Sequence, residues 1–201
     1  MKILGISCSP RKKGNTVMLL EEMLRGAEED GAQIELFSVS GKNIRGCDGC
    51  YSCYATGKCH IEDDMQPLYE KMIESDGIVF GSPIYFYGMT AQAKAIMDRV
   101  FALNRPNRAL VNKVGGVIVV AGSLGIVDAL KDYYFFFGVQ RIFPANFVAA
   151  YATNKGDASQ LEKGMNSAFR LGKEMVQLVK KKFEYPKEFP PNFFAFGTHT
   201  H

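Results

Sequence analysis

The chain has 201 residues, of which 47% are hydrophobic and 22% charged, ordinary proportions for a soluble globular protein of one domain with a sizeable core. Its net charge of +3 is too small to argue for a nucleic-acid partner or an anionic membrane surface, and no apolar stretch approaches the roughly twenty residues of a membrane span. The opening run Met1–Ile6 is too short for the apolar segment of a secretory signal, so a cytoplasmic protein without nucleic-acid or membrane partners is expected.

Taken in order, the elements alternate. Lys2–Ser7 reads as a strand, then a turn holds Ser9, Pro10 and Gly14. From Asn15 to about Glu29 the apolar residues Val17, Leu19, Leu20, Met23, Leu24 and Ala27 recur at helical spacing, with Asn15 or Thr16 as the expected cap. Gln33–Val39 reads as a second strand after the Gly31 stop, and a Gly-rich loop with most of the cysteines follows. A helix over Asp63–Ser75 carries Asp63 and Asp64 at its positive end. Gly77–Gly81 reads as a buried strand, Thr90–Leu103 as a helix and Val114–Ala121 as the most strand-like run. Ile126–Phe137 reads as a helix with an aromatic face, Phe147–Tyr151 as a fifth strand and Ser159–Lys181 as a long last helix.

Five largely apolar strands interleaved with helices predict an α/β fold, a doubly wound parallel sheet of order 2-1-3-4-5 with helices on both faces. The domain is expected over residues 1–182. Residues 183–201 form a separate arm, where Pro186, Pro190 and Pro191 forbid a regular helix while Phe183, Tyr185, Phe189, Phe193, Phe194 and Phe196 supply apolar area. Such an arm is either disordered or laid over a partner surface, and a partner subunit is the favoured reading.

Cys47, Cys50, Cys53 and Cys59 lie within thirteen residues as C-x2-C-x2-C-x5-C. Thiolates on such short tethers can converge on one iron–sulfur cubane, and the spacing is close to the bacterial ferredoxin run. Electron transfer is therefore the leading reading. Structural zinc normally uses two C-x2-C knuckles a dozen or more residues apart, and a reducing cytosol disfavours disulfides. Zinc and redox-switching thiols stay open as alternatives. Cys8, at a strand end, reads as a buried thiol.

Ligands of a doubly wound sheet bind beyond the carboxyl ends of its strands. The first such end runs Ser7-Cys8-Ser9-Pro10-Arg11-Lys12-Lys13-Gly14-Asn15-Thr16, and it has what a phosphate monoester needs. Ser9 and Thr16 offer hydroxyls, Asn15 an amide, Arg11 a planar cation, Gly14 close backbone approach, and the helix start its free N–H groups. Neither a Walker loop nor G-x-G-x-x-G is present, and an ordinary capped turn is the alternative. The third strand's end, Gly81-Ser82-Pro83-Ile84-Tyr85-Phe86, could wall a flat heterocycle or pack the core. Gly122 and Ser123, after the fourth strand, offer a shelf where a ring could approach the backbone.

These motifs, with Thr90-Ala91-Gln92-Ala93-Lys94 and Asp98-Arg99, make the chain resemble the iron–sulfur flavoprotein family, a branch of the flavodoxin-like, NADPH-dependent FMN reductases. The resemblance implies FMN held at its phosphate by Ser9, Arg11, Asn15 and Thr16. It also implies Pro83, Ile84, Tyr85 and Phe86 beside the isoalloxazine and a [4Fe–4S] cluster on Cys47, Cys50, Cys53 and Cys59. It further implies a homodimer or homotetramer in which a cluster approaches a flavin across a subunit boundary. Cys8 stands where many relatives have Gly, and Gly122-Ser123-Leu124-Gly125 is poorer in glycine than the family's usual loop.

The expected function is a redox flavoprotein passing electrons between FMN and the cluster, from a ferredoxin-like or NAD(P)H donor to an unidentified acceptor. The alternatives are an NAD(P)H-dependent FMN or quinone reductase without a cluster, and a non-catalytic module that binds another protein. With His60 the sole histidine outside the tail, a His-based hydrolase is disfavoured. Asp48 and His60 qualify as site residues only by their proximity to the cysteines.

Overall fold

Within each strand, alternate apolar side chains project to opposite faces, and both faces here are roofed by helices. The computed structural model describes residues 1–104 and 106–187. The elements are β1 (Lys2–Ser7), α1 (Asn15–Glu29), β2 (Gln33–Ser38), α2 (Ser52–Thr56), α3 (Met65–Glu74), β3 (Gly77–Tyr85), β4 (Gly88–Met89), α4 (Ala91–Arg99), β5 (Val114–Ala121), α5 (Ile126–Gln140), β6 (Phe143–Tyr151) and α6 (Glu162–Lys180). The main sheet runs β2-β1-β3-β5-β6, and β4 pairs with β3 alone. All main pairings are parallel. With the short β4 set aside, this is the expected 2-1-3-4-5 order.

Ile3, Val79, Ile118 and Val120 face α1 and α6, while Leu4, Ile6, Ile78, Phe80, Val117 and Val119 face α3, α4 and α5. Helices α1 and α6 approach so closely that glycine is required at the contact. A Cβ built on Gly26 would lie 2.1 Å from the Phe169 carbonyl oxygen, and one on Gly172 2.0 Å from that of Met23.

Four local expectations are corrected. Gly14, rather than Asn15 or Thr16, occupies the cap position of α1, and no side chain caps that end. Strand β3 continues four residues past Gly81 to Tyr85, sustained by Pro83 opposite Val120 and by the hairpin with β4. Strand β6 starts at Phe143 rather than Phe147; Pro144 is tolerated because this is an edge strand. The cysteine loop contains a single helical turn, α2, too short to show any periodicity.

The start of the predicted arm lies on its own chain. The Tyr185 ring stacks on Phe143 at 4.7 Å between centroids, Phe183 lies 5.3 Å from the same ring, and the Tyr185 N–H donates to Asn112 Oδ1 at 2.9 Å. Phe189, Phe193, Phe194 and Phe196 fall outside the described residues. No helix among the described residues is long and apolar enough to cross a membrane.

Candidate functional site

Two cavities bring together most of the residues singled out by the sequence. The first lies beyond the carboxyl ends of β1, β3, β5 and β6, a cleft of about 130 Å³ lined by Ser9, Arg11, Gly14, Asn15 and Thr16 from one side. Pro83, Ile84 and Tyr85 form a second wall, and Val120, Gly122, Ala152 and Thr153 the rest. Phe86 and Ser123 are not among its walls; Phe86 is 98% exposed at the tip of the β3–β4 hairpin, and of the expected shelf only Gly122 lines the cleft, Ser123 being exposed beside it.

Ser9 and Thr16 are buried at the cleft floor. The Ser9 hydroxyl accepts the Arg11 N–H at 3.2 Å, which bends the loop and leaves its own hydrogen to donate. Among the described residues, the backbone N–H groups of Asn15 and Thr16 have no backbone acceptor, because α1 begins with them. Such a helix start favours an anion. The Asn15 side chain also ties the cleft to a distant segment. Its amide donates to the Asn154 carbonyl at 2.8 Å, and its oxygen accepts from Gly156 N at 3.0 Å and Ala158 N at 3.2 Å. It fixes the segment after β6 that supplies Ala152 and Thr153. Those two residues were missed by the sequence reading, although the rule that ligands sit beyond strand carboxyl ends applies to the fifth strand as well.

The hairpin at the cleft mouth is strained. Phe86 and Tyr87 both have positive φ, 47° and 68°, in a two-residue turn that normally selects Asn and Gly. Gly125 makes room for it: φ there is +98°, and a Cβ would lie 2.5 Å from the Tyr87 backbone. Beneath the cleft, Thr90 ties the loops together. Its hydroxyl donates to the Cys8 carbonyl at 2.9 Å and accepts the Ala93 N–H at 3.2 Å, and its N–H donates to Ser82 Oγ at 3.1 Å. Cys8 is fully buried, and burial pushes its thiol up to about 12, so it is inert at neutral pH.

The second cavity, about 300 Å³, is lined by all four clustered cysteines together with Asp48, Tyr51, Arg99, Phe101 and Ala102. Each gap between successive cysteines contains one left-handed residue: Gly49 at φ 69°, Tyr51 at 58° and Gly57 at 68°. These bends curl the chain so that the sulfurs share one space. The Cys53 thiol is pushed up from its ordinary value first by burial and then by the nearby Cys59, Cys50 and Cys47 sulfurs. All four are free thiols. Four soft sulfur donors around one cavity, Cys47 and Cys50 exposed and Cys53 and Cys59 half-buried, fit a thiolate-held iron–sulfur cluster. Asp48 Oδ2 and His60 Nε2 meet at 2.7 Å on the exposed rim, and hydrogen bonds with Cys50 and then His60 hold the Asp48 carboxyl at about 2.

The loop's neck is closed by Arg99, which is 1% exposed. Its guanidinium donates to the carbonyls of Arg45 at 2.9 Å and Ile61 at 3.2 Å, to both Asp63 oxygens at 2.9 and 3.1 Å, and to the Tyr69 hydroxyl at 3.3 Å. Burial works against its charge, but the Asp63 and Tyr69 oxygens more than offset that and raise its pKa. Sequence alone gave no sign of this, since the partners lie 54, 38, 36 and 30 residues away. A third cavity, lined by Asp76, Lys113, Phe143 and Phe183, lies at the amino ends of the strands, where ligands of such sheets do not bind.

Residues 1–154 match the family of NADPH-dependent FMN reductases. An iron–sulfur flavoprotein of Methanocaldococcus jannaschii is 37% identical over 90% of this chain and 98% of its own. One from Archaeoglobus fulgidus is 32% identical over 91% and 82%. Among solved structures, an NAD(P)H:quinone oxidoreductase from Methanothermobacter marburgensis superposes with a TM-score of 0.68 at 17% identity, covering 87% of this chain and 98% of its own. A flavodoxin from the domain Archaea superposes at 0.60 with 17% identity over 90% and 99%, a likeness of fold. The chain thus belongs to the NADPH-dependent FMN reductase family, in its iron–sulfur flavoprotein branch, and is an FMN-dependent oxidoreductase.

Proposed function

We propose that this protein passes electrons between FMN and a [4Fe–4S] cluster, taking them from a ferredoxin-like protein or NAD(P)H and delivering them to a separate acceptor. The observation that carries this reading is the pair of cavities, one built for a phosphate monoester beside a strained aromatic hairpin and the other lined by four free thiols. When bound, the flavin supplies exchange of electrons singly or in pairs and the cluster exchange one at a time, which together interconvert the two modes.

The chain's residues bind, place and shield. The N–H groups at the start of α1, with Ser9, Thr16 and the Arg11 cation, would hold the FMN phosphate. Pro83, Ile84 and Tyr85, with Phe86 and Gly122–Ser123 beside them, would line the flavin ring, and the 130 Å³ cleft, below the roughly 300 Å³ at which ligand pockets begin, would take the phosphate end. Cys47, Cys50, Cys53 and Cys59 would hold the cluster, with Tyr51 and Phe101 on the wall of the same cavity. Helix α4 joins the sites: Thr90 caps it under the flavin loops and Arg99 ends it at the cluster cavity, nine residues or about 13 Å apart.

The hairpin tip and Tyr51, 98% and 67% exposed, leave apolar surface at both sites uncovered. This supports a homodimer or homotetramer in which one subunit's cluster loop covers another's flavin. Anaerobically purified protein should show flavin bands over broad thiolate-to-iron absorption, and reduced ferredoxin or NAD(P)H should bleach both. Steady NAD(P)H turnover with a quinone or free flavin, in protein lacking the iron absorption, would favour the cluster-free reductase instead.

A further inference from the structure

We propose that Arg99 is the positioning residue of the cysteine loop: its guanidinium fixes where the four thiolates converge and places a positive charge on the cavity wall that tunes the cluster's reduction potential. This rests on the assignment of the cluster to Cys47, Cys50, Cys53 and Cys59.

The loop leaves the fold at Arg45 and rejoins it at Ile61, and both carbonyls accept hydrogen bonds from the same guanidinium. All five donor hydrogens of Arg99 have acceptors, with Asp63 and Tyr69 taking the other three. The fork is therefore locked, and with it the separation of the loop's two ends. A planar five-donor group can make this set of contacts; an ammonium cannot. Arg99 is itself anchored, because the Tyr69 hydroxyl donates back to its carbonyl at 2.9 Å and because it is the last residue of α4.

A staple of the fold alone would need no place at the cavity. The neck is already closed by a second contact, Asp64 N–H to the Asn43 carbonyl at 3.1 Å and Asn43 N–H to Asp64 Oδ2 at 2.7 Å. A buried ion pair can usually be exchanged for apolar residues of similar volume without loss of stability. Yet Arg99 lines the same cavity as the four sulfurs, together with Asp48 and Asp98, while its counter-ion Asp63 is not among the walls. The Cys59 sulfur is among the groups that raise the Arg99 pKa, so the cation and that ligand position interact directly. A cluster on four thiolates is negatively charged, and reduction adds one more negative charge. A cation on the wall stabilises the reduced form more than the oxidised one and raises the potential, the lever of charge and burial that sets such potentials generally.

The test is redox titration of the anaerobically purified full chain, followed by its cluster signal, in the wild type and in Arg99→Gln, Arg99→Lys and the double variant Arg99→Gln/Asp63→Asn. Hydrogen exchange over residues 45–61 is measured on the same chains before the cluster is installed. Arg99→Gln should shift the potential to more negative values and lose the loop's protection. Arg99→Lys should lose protection while keeping the potential near the wild type's. The double variant, which strands no buried charge and so guards against failure to fold, should still shift the potential downward. Equal potentials in all four chains, with wild-type cluster content normal, would overturn the proposal and leave the function intact. A wild-type chain that takes up no iron and sulfide would instead sink the cluster assignment on which it rests.

Discussion

Replacing Asn15 by alanine distinguishes the phosphate donor expected from the sequence from the holder of the segment after β6. Its side chain is 8% exposed and makes three hydrogen bonds, of 2.8, 3.0 and 3.2 Å, to residues 154–158. At roughly 1 kcal/mol net for each bond, the loss is about 3 kcal/mol. Asn154 is an exposed residue whose part-buried carbonyl can regain water, whereas the Ala158 N–H is buried and cannot, which keeps the loss near that figure. For a chain of this size, about 2–4 °C per kcal/mol converts it to a fall in Tm of about 6–12 °C. The assay is calorimetry of flavin-free protein, with a parallel FMN titration by fluorescence quenching. Because the freed segment carries Ala152 and Thr153 of the cleft wall, FMN affinity should drop roughly tenfold, the equivalent of about 1.4 kcal/mol. An unchanged Tm with lost FMN affinity would refute the reasoning, since it would make Asn15 a phosphate donor and not the holder of the loop.

Other perturbations address the remaining parts. Cys50→Ala should abolish the cluster and leave FMN bound, because separate loops hold the two; parallel iron and flavin assays decide, and loss of both would refute that separation. Arg11→Ala should weaken FMN by about 1.5–3 kcal/mol, the worth of one charged hydrogen bond, read from the same titration. Gly125→Ala forces a Cβ to 2.5 Å from the Tyr87 backbone at a φ of +98°, so it should displace the hairpin and weaken FMN while iron content stays unchanged. Burial pushes the Asp63 carboxyl up, but hydrogen bonds from Arg99 and from the Arg45 and Met65 N–H groups outweigh it and hold its pKa below the ordinary value. The stability this confers is present above the unfolded-chain pKa and fades as pH falls through the depressed one. Acid unfolding of Asp63→Asn should therefore be less steep over that range than that of the wild type.

Much of the framework was legible because periodicity and burial coincide. Lys2–Ser7, Asn15–Glu29 and Val114–Ala121 have the predicted ends, since each is bounded by a break in apolar pattern. The β3–β4 hairpin was not legible. Phe86 and Tyr87 carry none of the Asn or Gly chemistry that marks such a turn, and Pro83 argued against a strand. The start of β6 was hidden by Pro144 and Asn146. At the candidate sites, the loop after β1 and the cysteine segment could be read as cavity-lining stretches because their residues are contiguous. Arg99 and the Asn15 clamp could not, because each joins segments that only the folded sheet brings together, and a side chain that satisfies distant carbonyls leaves no local pattern.

Chemical analysis of anaerobically purified protein for iron, acid-labile sulfide and FMN tests the central claim most directly. The account predicts about four iron and four sulfide for each FMN and each chain, as four-cysteine ligation of a cubane requires. Stoichiometric zinc in place of iron, or FMN with neither iron nor sulfide, would contradict it.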